Sequence, residues 1–281
     1  MRPALETTGL GIRYRRTWAL RDCSLAVPTG RVAALVGPNG AGKTTLMHAA
    51  VGLLRPALGS VRVTGEAAFV AQDKPLYDSF TVAEMLAFGR RMNTRWDHAA
   101  AADRLAGLGI PLSRKVRGLS GGQQAQVAVT LALASRPDLL VLDEPLANLD
   151  PLARHEVMRS IMGEVAGREL TVLLSSHVVS DLEETCDWLV VLNGGRLQVS
   201  GDIEDLLDRH LVLTGPEGAS AAGTQVVSAS RTGRQLGMLV RGGPPLDPRW
   251  QARRPGLDEL VMGYLRSPES ATLPGMTAVG A

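Results

Sequence analysis

A glycine-rich segment at residues 37–45 constrains this chain more than any other feature. It matches the pattern G-x-x-x-x-G-K-[ST], follows the apolar run 32–36 and precedes a helix-like segment that begins at Lys43. Strand, loop and helix in this order form a phosphate cradle, because glycines admit phosphates close to the backbone and the helix N-terminus is partially positive. An ordinary glycine-rich turn would not require that order. The segment therefore predicts binding of a nucleoside triphosphate by Gly37, Pro38, Asn39, Gly40, Ala41, Gly42, Lys43, Thr44 and Thr45.

Two carboxylates complete this prediction. The short run 139–142 is entirely apolar, as in a buried parallel strand, and ends in Asp143 and Glu144. We expect Lys43 to reach the β- and γ-phosphates and the Thr44 hydroxyl to ligate Mg²⁺. Asp143 would hold Mg²⁺ through water, and Glu144 would polarise the attacking water.

Further motifs distinguish between the classes of protein that contain such a phosphate-binding loop, or P-loop. Residues 119–123 read LSGGQ at the start of an Ala- and Val-rich helix, and Asn148-Leu149-Asp150 follows the carboxylates. Gln72 follows the strand-like run 67–70, and His177 follows the run 171–174. A GTPase would need an N-K-x-D guanine-binding motif, which the sequence lacks. From about residue 5 to 205, the chain resembles the ATP-binding subunit of an ABC transporter.

The resemblance implies a role for several residues that are unremarkable alone. Gln72 in isolation is typical of a solvated strand end, and a lone histidine such as His177 is more often structural. By resemblance, Gln72 contacts Mg²⁺ and water and relays the nucleotide state to a permease. His177 would hold the γ-phosphate and orient Glu144. Tyr14 lies where the family places an aromatic residue that stacks on adenine, and Trp18 is the alternative for that role. The structural alternative is that either ring merely covers the edge of the sheet.

The LSGGQ segment also argues for a dimer. Ser120 before two glycines at a helix start forms a second anion-binding terminus, although it could also be a plain N-cap. Because the first cradle already wraps its own triphosphate, this second one requires a nucleotide bound to another chain. We expect a head-to-tail pair, a homodimer in the simplest case, in which the residues acting in trans are Ser120, Gly121, Gly122, Gln123 and, by resemblance, Asp150.

Composition indicates where such a chain works. The 30 basic and 28 acidic residues give a formal charge of +2, so no basic field predicts nucleic-acid binding. Cys23 and Cys186 lack metal spacing and are typical of reduced cytosolic thiols. No apolar stretch of membrane-spanning length or signal peptide is present. We expect a cytoplasmic protein, peripheral on the inner face of the cell membrane through separate permease subunits.

The pattern of elements predicts the fold class. Alternating strands and helices indicate a parallel α/β core. The resemblance makes this a P-loop NTPase of the ABC type, with an antiparallel β subdomain and a helical subdomain. We assign 1–204 to the ATPase domain, with the helical subdomain at about 74–136. Strand-like runs at 211–214, 226–229 and 236–241 and a helix at 257–266 predict a small C-terminal α+β accessory domain at 205–266, and 267–281 is predicted to be disordered.

The predicted function is ATP hydrolysis, with ATP and Mg²⁺ bound, that drives a membrane transporter. The tail and the region 170–205 resemble exporters of drugs, antibiotics or bacteriocins that pair with ABC-2 permeases. An importer ATPase, or a soluble ABC ATPase acting on ribosomes or DNA, is the alternative; the latter usually carries tandem ATPase units or coiled-coil insertions. Cargo, permease identity and homo- versus heterodimer formation stay open.

Overall fold

The structure is a computed structural model that describes residues 2–267, except 177, 178, 234, 244 and 246, and except the side chains of residues 180 and 181. His177 therefore lies outside the described residues, as does the predicted disordered tail beyond Ser267. No helix in the described part of the chain combines the length and apolar character needed to cross a lipid bilayer.

A six-stranded sheet forms the centre of the molecule, in the order β5-β6-β7-β3-β8-β9. Its strands are β3 (Val32–Val36), β5 (Ala67–Val70), β6 (Leu139–Leu142), β7 (Thr171–Ser176), β8 (Trp188–Asn193) and β9 (Arg196–Asp202). The first five of these run parallel, and every residue of β3, β6 and β7 is buried. Continuous apolar strands are expected where helices or a second sheet cover both faces of a parallel sheet. The predicted α/β core is confirmed.

The tight turn at Asn193–Arg196 reverses the chain, so that β9 pairs antiparallel with β8 at the edge. A three-stranded antiparallel sheet, β2-β1-β4, covers one face of the central sheet. It is built from β1 (Pro3–Tyr14), β2 (Thr17–Pro28) and β4 (Leu58–Val63). Helix α1 (Lys43–Ala50) shares its buried cluster with the residues of this sheet. The predicted antiparallel β subdomain is therefore present.

Helices between β5 and β6 form a second layer. They are α2 (Val82–Met92), α3 (His98–Gly107) and α4 (Gly121–Ala134). Thr81 and Glu84 form a capping box at the start of α2, and Asp97 caps α3. Helix α4 belongs to two buried clusters, because Ala125 and Val129 pack with the central sheet while Val127 packs with α2 and α3. It is thus the element that joins this helical layer to the sheet.

After β6 the chain forms α5 (Pro151–Gly167) and the short α6 (Ser180–Glu183). The C-terminal part contains α7 (Ile203–Asp208), β10 (His210–Pro216), β11 (Gln225–Thr232), β12 (Gln235–Arg241), β13 (Gln251–Arg253) and α8 (Leu257–Arg266). These strands form an antiparallel sheet in the order β11-β12-β10-β13. Helix α8 and the strands β10 to β12 were predicted, whereas α7 and β13 were not.

The C-terminal elements share a core with the central sheet. Leu260 and Tyr264 of α8 are buried in the same cluster as Leu189 and Val191 of β8. Asn193 at the end of β8 donates from Nδ2 to the carbonyl oxygen of Leu265 at 2.8 Å. The boundary proposed after residue 204 falls within α7, and buried apolar contacts continue across it.

Candidate nucleotide site

The glycine-rich loop connects β3 to α1 and is pressed against neighbouring backbone. Gly42, the N-cap of α1, has φ 103°, a left-handed conformation that favours glycine. A Cβ there would lie 2.8 Å from the carbonyl oxygen of Ala19, and one at Gly37 would lie 2.3 Å from that of Leu192. Glycine is therefore required at both positions by close packing on β2 and β8, in addition to any need of a ligand.

Lys43 is held inside this loop. The residue is 7% exposed, and Nζ donates to the carbonyl oxygens of Gly37 at 2.7 Å and Pro38 at 3.3 Å. An ammonium group has three donors, so one remains for a phosphate oxygen. Pro38, Asn39 and Gly40 form the exposed rim, while the side chains of Ala41 and Thr45 are buried. The open side of the loop is thus lined by backbone atoms and by the ammonium group of Lys43.

Asp143 lies at the carboxyl end of β6, directly beside the start of α1. Its side chain is buried; Oδ2 accepts from Oγ1 of Thr44 at 2.7 Å, and Oδ1 accepts from Oγ of Ser175 at 2.7 Å. Ser175 Oγ also accepts from the backbone N–H of Glu144 at 2.8 Å. Ser175 therefore positions both carboxylate-bearing residues. Sequence reasoning missed it: the serine after the apolar run 171–174 was a local signal, but the pairing of this strand with β6 is known only from the structure.

Glu144 and Gln72 are brought together from neighbouring strand ends. Gln72 follows β5 and donates from Nε2 to Oε2 of Glu144 at 3.3 Å. Glu144 itself has φ 46°, in the left-handed region that costs a residue with a side chain about 1–2 kcal/mol. The turn after β6 thus aims the Glu144 carboxylate at the strand end that carries Gln72. Two residues beyond Gln72, burial lowers the pKa of the Lys74 side chain.

The polar atoms at this edge fit Mg²⁺. That ion takes oxygen ligands and keeps several waters, so it needs only one or two protein groups besides phosphate. Asp143 and Thr44 supply adjacent oxygens, and the Gln72 amide oxygen remains available because its nitrogen serves Glu144. Among the described residues, no group of three or more His, Cys, Asp or Glu side chains could form a metal site of another kind.

The LSGGQ residues lie at the start of α4 and beside the start of α5. Ser120 and Gln123 form a capping box, in which Ser120 Oγ accepts from the Gln123 N–H at 3.2 Å and Gln123 Oε1 accepts from the Ser120 N–H at 3.1 Å. A Cβ on Gly122 would approach the Cβ of Ala153 to 3.0 Å. Ala153 donates its N–H to Asp150, the N-cap of α5. The structure therefore places Ser120–Gln123 and Asp150 on one surface region, where Ser120, Gly121 and Asp150 are exposed.

The two candidate adenine-stacking rings differ in exposure. Tyr14 ends β1 and is 49% exposed, whereas Trp18 near the start of β2 is half-buried. The guanidinium of Arg13 lies 5.6 Å from the centre of the Trp18 ring, within the range of a cation–π contact. Tyr14 therefore offers the more open ring.

A phosphate loop on a parallel sheet, with carboxylates at the adjacent strand end, defines the class of P-loop nucleotide-binding proteins. Within that class, a family model described as ABC transporter matches residues 20–147, and the chain belongs to this family of ATP-binding proteins. It is therefore an ATP-binding subunit of the ABC transporter type, in a family that hydrolyses ATP to power transport.

Relatives and solved structures agree with this assignment. The Nod factor export ATP-binding protein I of Cupriavidus pinatubonensis is 33% identical over 270 residues, which cover 86% of this chain and 82% of that protein. The molybdenum import ATP-binding protein ModC of Mycobacterium tuberculosis is 33% identical and covers 74% of this chain and 63% of that protein. A solved ATP-binding subunit of an ABC transporter superposes with a TM-score of 0.66 at 28% identity, covering 73% of this chain and 92% of that one.

Proposed function

We propose that this chain is the ATPase of an exporter, and that two copies close head to tail around two ATP molecules to drive a separate permease. The observation that carries the catalytic part of the proposal is the hydrogen-bonded array at the sheet edge. It links Thr44, Asp143, Ser175, Glu144 and Gln72 within direct hydrogen-bond distances. Each of these side chains is thereby oriented by a neighbour before any substrate arrives.

The array supports one division of labour. Lys43 and the loop N–H groups bind the β- and γ-phosphates, and Thr44, Asp143 and the Gln72 oxygen hold Mg²⁺. Bound Mg²⁺ neutralises charge on the phosphates. Glu144 Oε accepts the proton of the attacking water, and Gln72 Nε2 keeps that carboxylate in place. By family resemblance, His177 contacts the γ-phosphate and orients Glu144.

The capping geometry of Ser120 supports binding of a second nucleotide. Its hydroxyl oxygen accepts from the Gln123 N–H, which leaves its O–H free to donate to an anion. The first N–H groups of α4 and the helix dipole add to the attraction. Because Asp150 lies on the same exposed surface, both segments would face the partner's phosphate loop.

An exposed aromatic patch supports docking of a permease. Tyr77, Phe80 and Phe88 pack ring to ring, with centroid separations of 5.0 Å from Tyr77 to Phe80 and 5.4 Å from Tyr77 to Phe88. Tyr77, which precedes α2, is 52% exposed, and Met92 at the end of α2, the helix that carries Phe88, is 68% exposed. The patch follows Gln72 by a few residues, so a permease helix seated on it could sense the nucleotide. This arrangement would place the chain on the cytoplasmic face of the membrane.

The names of the relatives favour export without excluding import. The Nod factor export protein aligns over 270 residues, a stretch long enough to include part of the C-terminal region. The molybdenum import protein aligns over 244 residues at the same identity. Import is thus the second candidate. Purification of the tagged full chain from membranes, with identification of the permease that accompanies it, distinguishes the two.

Mixing two inactive variants tests the shared site. Lys43→Ala removes the phosphate-loop cation, and Gly122→Asp puts a negative charge on the proposed trans surface. A heterodimer of the two should contain one intact composite site and recover ATP hydrolysis well above the sum of the separate variants. Gly163→Asp is the control for an added carboxylate at an exposed glycine away from that surface, and an added Cβ there meets no atom within 4 Å. It should leave hydrolysis unchanged.

If mixed dimers form, as shown by co-purification of differently tagged chains, and hydrolysis does not exceed that sum, the head-to-tail site is wrong.

A further inference from the structure

A cavity of about 70 Å³, lined by both charged and apolar residues, lies where α3, α4 and α5 meet, and the nucleotide mechanism does not use it. Three arginines line it: Arg104 on α3, Arg136 just after α4, and Arg168 at the end of α5. None of the residues that line it belongs to the phosphate loop, the LSGGQ segment or the strand ends that carry Asp143 and Glu144.

Several of the arginine donors are buried without an acceptor. Nε and Nη2 of Arg104 and Nη2 of Arg168 have no hydrogen-bond partner among the residues that the structure describes. Arg104 uses only Nη1, which lies 3.4 Å from the carbonyl oxygen of Ser160, and Arg168 Nη1 donates to that of Pro137 at 2.7 Å. A buried donor at a charged group that lacks an acceptor is costly. Both side chains line the cavity, so an anion bound there would be positioned to supply the missing acceptor.

The charges around the cavity are not balanced. Two carboxylates face the three guanidinium groups, which leaves one positive charge. Asp97 is engaged by Arg136 Nη1 at 2.7 Å, and Glu164 lies between the other two, 3.4 Å from Arg168 and 3.9 Å from Arg104. Burial lowers the pKa of Arg104, and the Glu164 charge only partly opposes this. Guanidinium groups stay protonated in proteins, so the remaining charge attracts an anion.

We propose that this cavity binds a small tetrahedral oxyanion of the inorganic phosphate class. Planar guanidinium forks match the oxygens of phosphate, and two of them with unused N–H groups are present. The volume is several times the about 10–15 Å³ that holds one water, and it is too small for a nucleotide. The Arg136 side chain is 53% exposed, which marks the solvent side of the site. Free phosphate is available to it as a product of ATP hydrolysis.

A bound oxyanion would add a bridge between α3 and α5, where Arg104 already has a long hydrogen bond to the Ser160 carbonyl oxygen and a distant ion pair with Glu164. Arg104 belongs to the helical layer, whereas Arg168 belongs to the helix that packs on the central sheet. An anion held by both would stabilise the contact between α3 and α5. This consequence follows from the site and is independent of transport direction and of the permease.

Phosphate binding to the full chain tests the proposal. The phosphate loop is first saturated with Mg²⁺ and a non-hydrolysable ATP analogue, so that inorganic phosphate cannot bind there. Calorimetric titration at constant ionic strength should then show one phosphate per chain, and Arg104→Gln should raise its Kd at least about tenfold, as expected from losing a charged hydrogen bond. Arg62→Gln is the control, because Arg62 is 80% exposed on β4 and lies outside the cavity; its Kd should be unchanged.

A second measurement does not depend on how well the variant folds. Crystals of the wild-type chain soaked in selenate should show an anomalous peak between Arg104 and Arg168. A cavity that contains only water, or equal phosphate affinity in Arg104→Gln and Arg62→Gln, would overturn the proposal.

Discussion

At the phosphate-loop edge, the polar side chains of Thr44, Asp143 and Ser175 form a chain of hydrogen bonds at the carboxyl end of the apolar strand β6. The C-terminal sheet is attached differently, because buried apolar side chains of α8, such as Leu260 and Tyr264, fill the same core as β8. The first region carries the proposed catalytic groups, whereas the second contributes buried apolar packing to the central core. Substitutions in the two regions should therefore change different measured quantities.

The largest expected effect is on turnover. In Glu144→Gln the amide can still contact Gln72 but cannot accept a proton from water. We expect hydrolysis to fall by roughly 10² to 10⁴, with ATP affinity retained. The rate of phosphate release and a nucleotide titration measure the two quantities. Glu156→Gln on α5 is a charge-matched control at an exposed position, and turnover of Glu144→Gln close to that control would remove Glu144 from its proposed role.

The next largest effect is on stability and lies in the other region. Leu260 is completely buried, so Leu260→Ala should lower the free energy of unfolding by about 2–5 kcal/mol. Met262 lies on the same helix and is 43% exposed, so Met262→Ala should change the free energy of unfolding by no more than about 0.5 kcal/mol. Denaturant titration measures both.

ATP affinity of folded Leu260→Ala should equal that of the wild type. A specific loss of ATP affinity, with stability unchanged, would show that α8 contributes directly to the nucleotide site and would break the comparison between the two regions.

The smallest effect is a pH dependence in the C-terminal region. His210 is fully buried between α7 and α8; its Nδ1 lies 2.6 Å from the carbonyl oxygen of Leu206, and its Nε2 lies 2.8 Å from the Tyr264 hydroxyl. The carbonyl can only accept, so Nδ1 carries the proton and Nε2 accepts from Tyr264. Burial lowers the pKa of His210 below 6.5 and raises that of Tyr264 to about 12.

As pH falls, the imidazole at residue 210 therefore binds a proton at a higher pH in the unfolded chain than in the folded chain. The contribution of neutral His210 to stability is fully present above the pKa that this residue has in the unfolded chain, and it falls as pH drops below that pKa. We expect the melting temperature to decline below about pH 6.5, and to decline less in His210→Gln than in the exposed control His98→Gln. Identical pH profiles for these variants would contradict the role of His210.

Much of the nucleotide site could be predicted from sequence because its residues follow the ends of apolar strands. Parallel strands bring their carboxyl ends to one edge, so Thr44, Asp143, Glu144 and Gln72 had to lie close together. Ser175 could not be singled out in the same way. Its role depends on which strand neighbours β6, and strand order is set by tertiary packing.

The C-terminal region was harder to predict for a related reason. The strands β10 to β12 and helix α8 show regular apolar patterns, but the three-residue strand β13 is exposed throughout and has no such pattern. Nothing local indicates that Tyr264 packs with β8. The arginine-lined cavity is equally non-local, since its charged groups come from the ends of separate helices.

The left-handed backbone at Glu144 has a consequence for how this chain tolerates change over evolutionary time. Asn148 in the same turn also has positive φ, at 60°, but asparagine adopts this conformation readily and glutamate does not. On backbone preference alone, glycine would suit position 144 better than the acid does. With Glu144 in its proposed role, substitution selected for thermal robustness alone would tend to replace the acid, and selection for turnover would retain it. The most stable version of this turn and the most active one would then be different sequences.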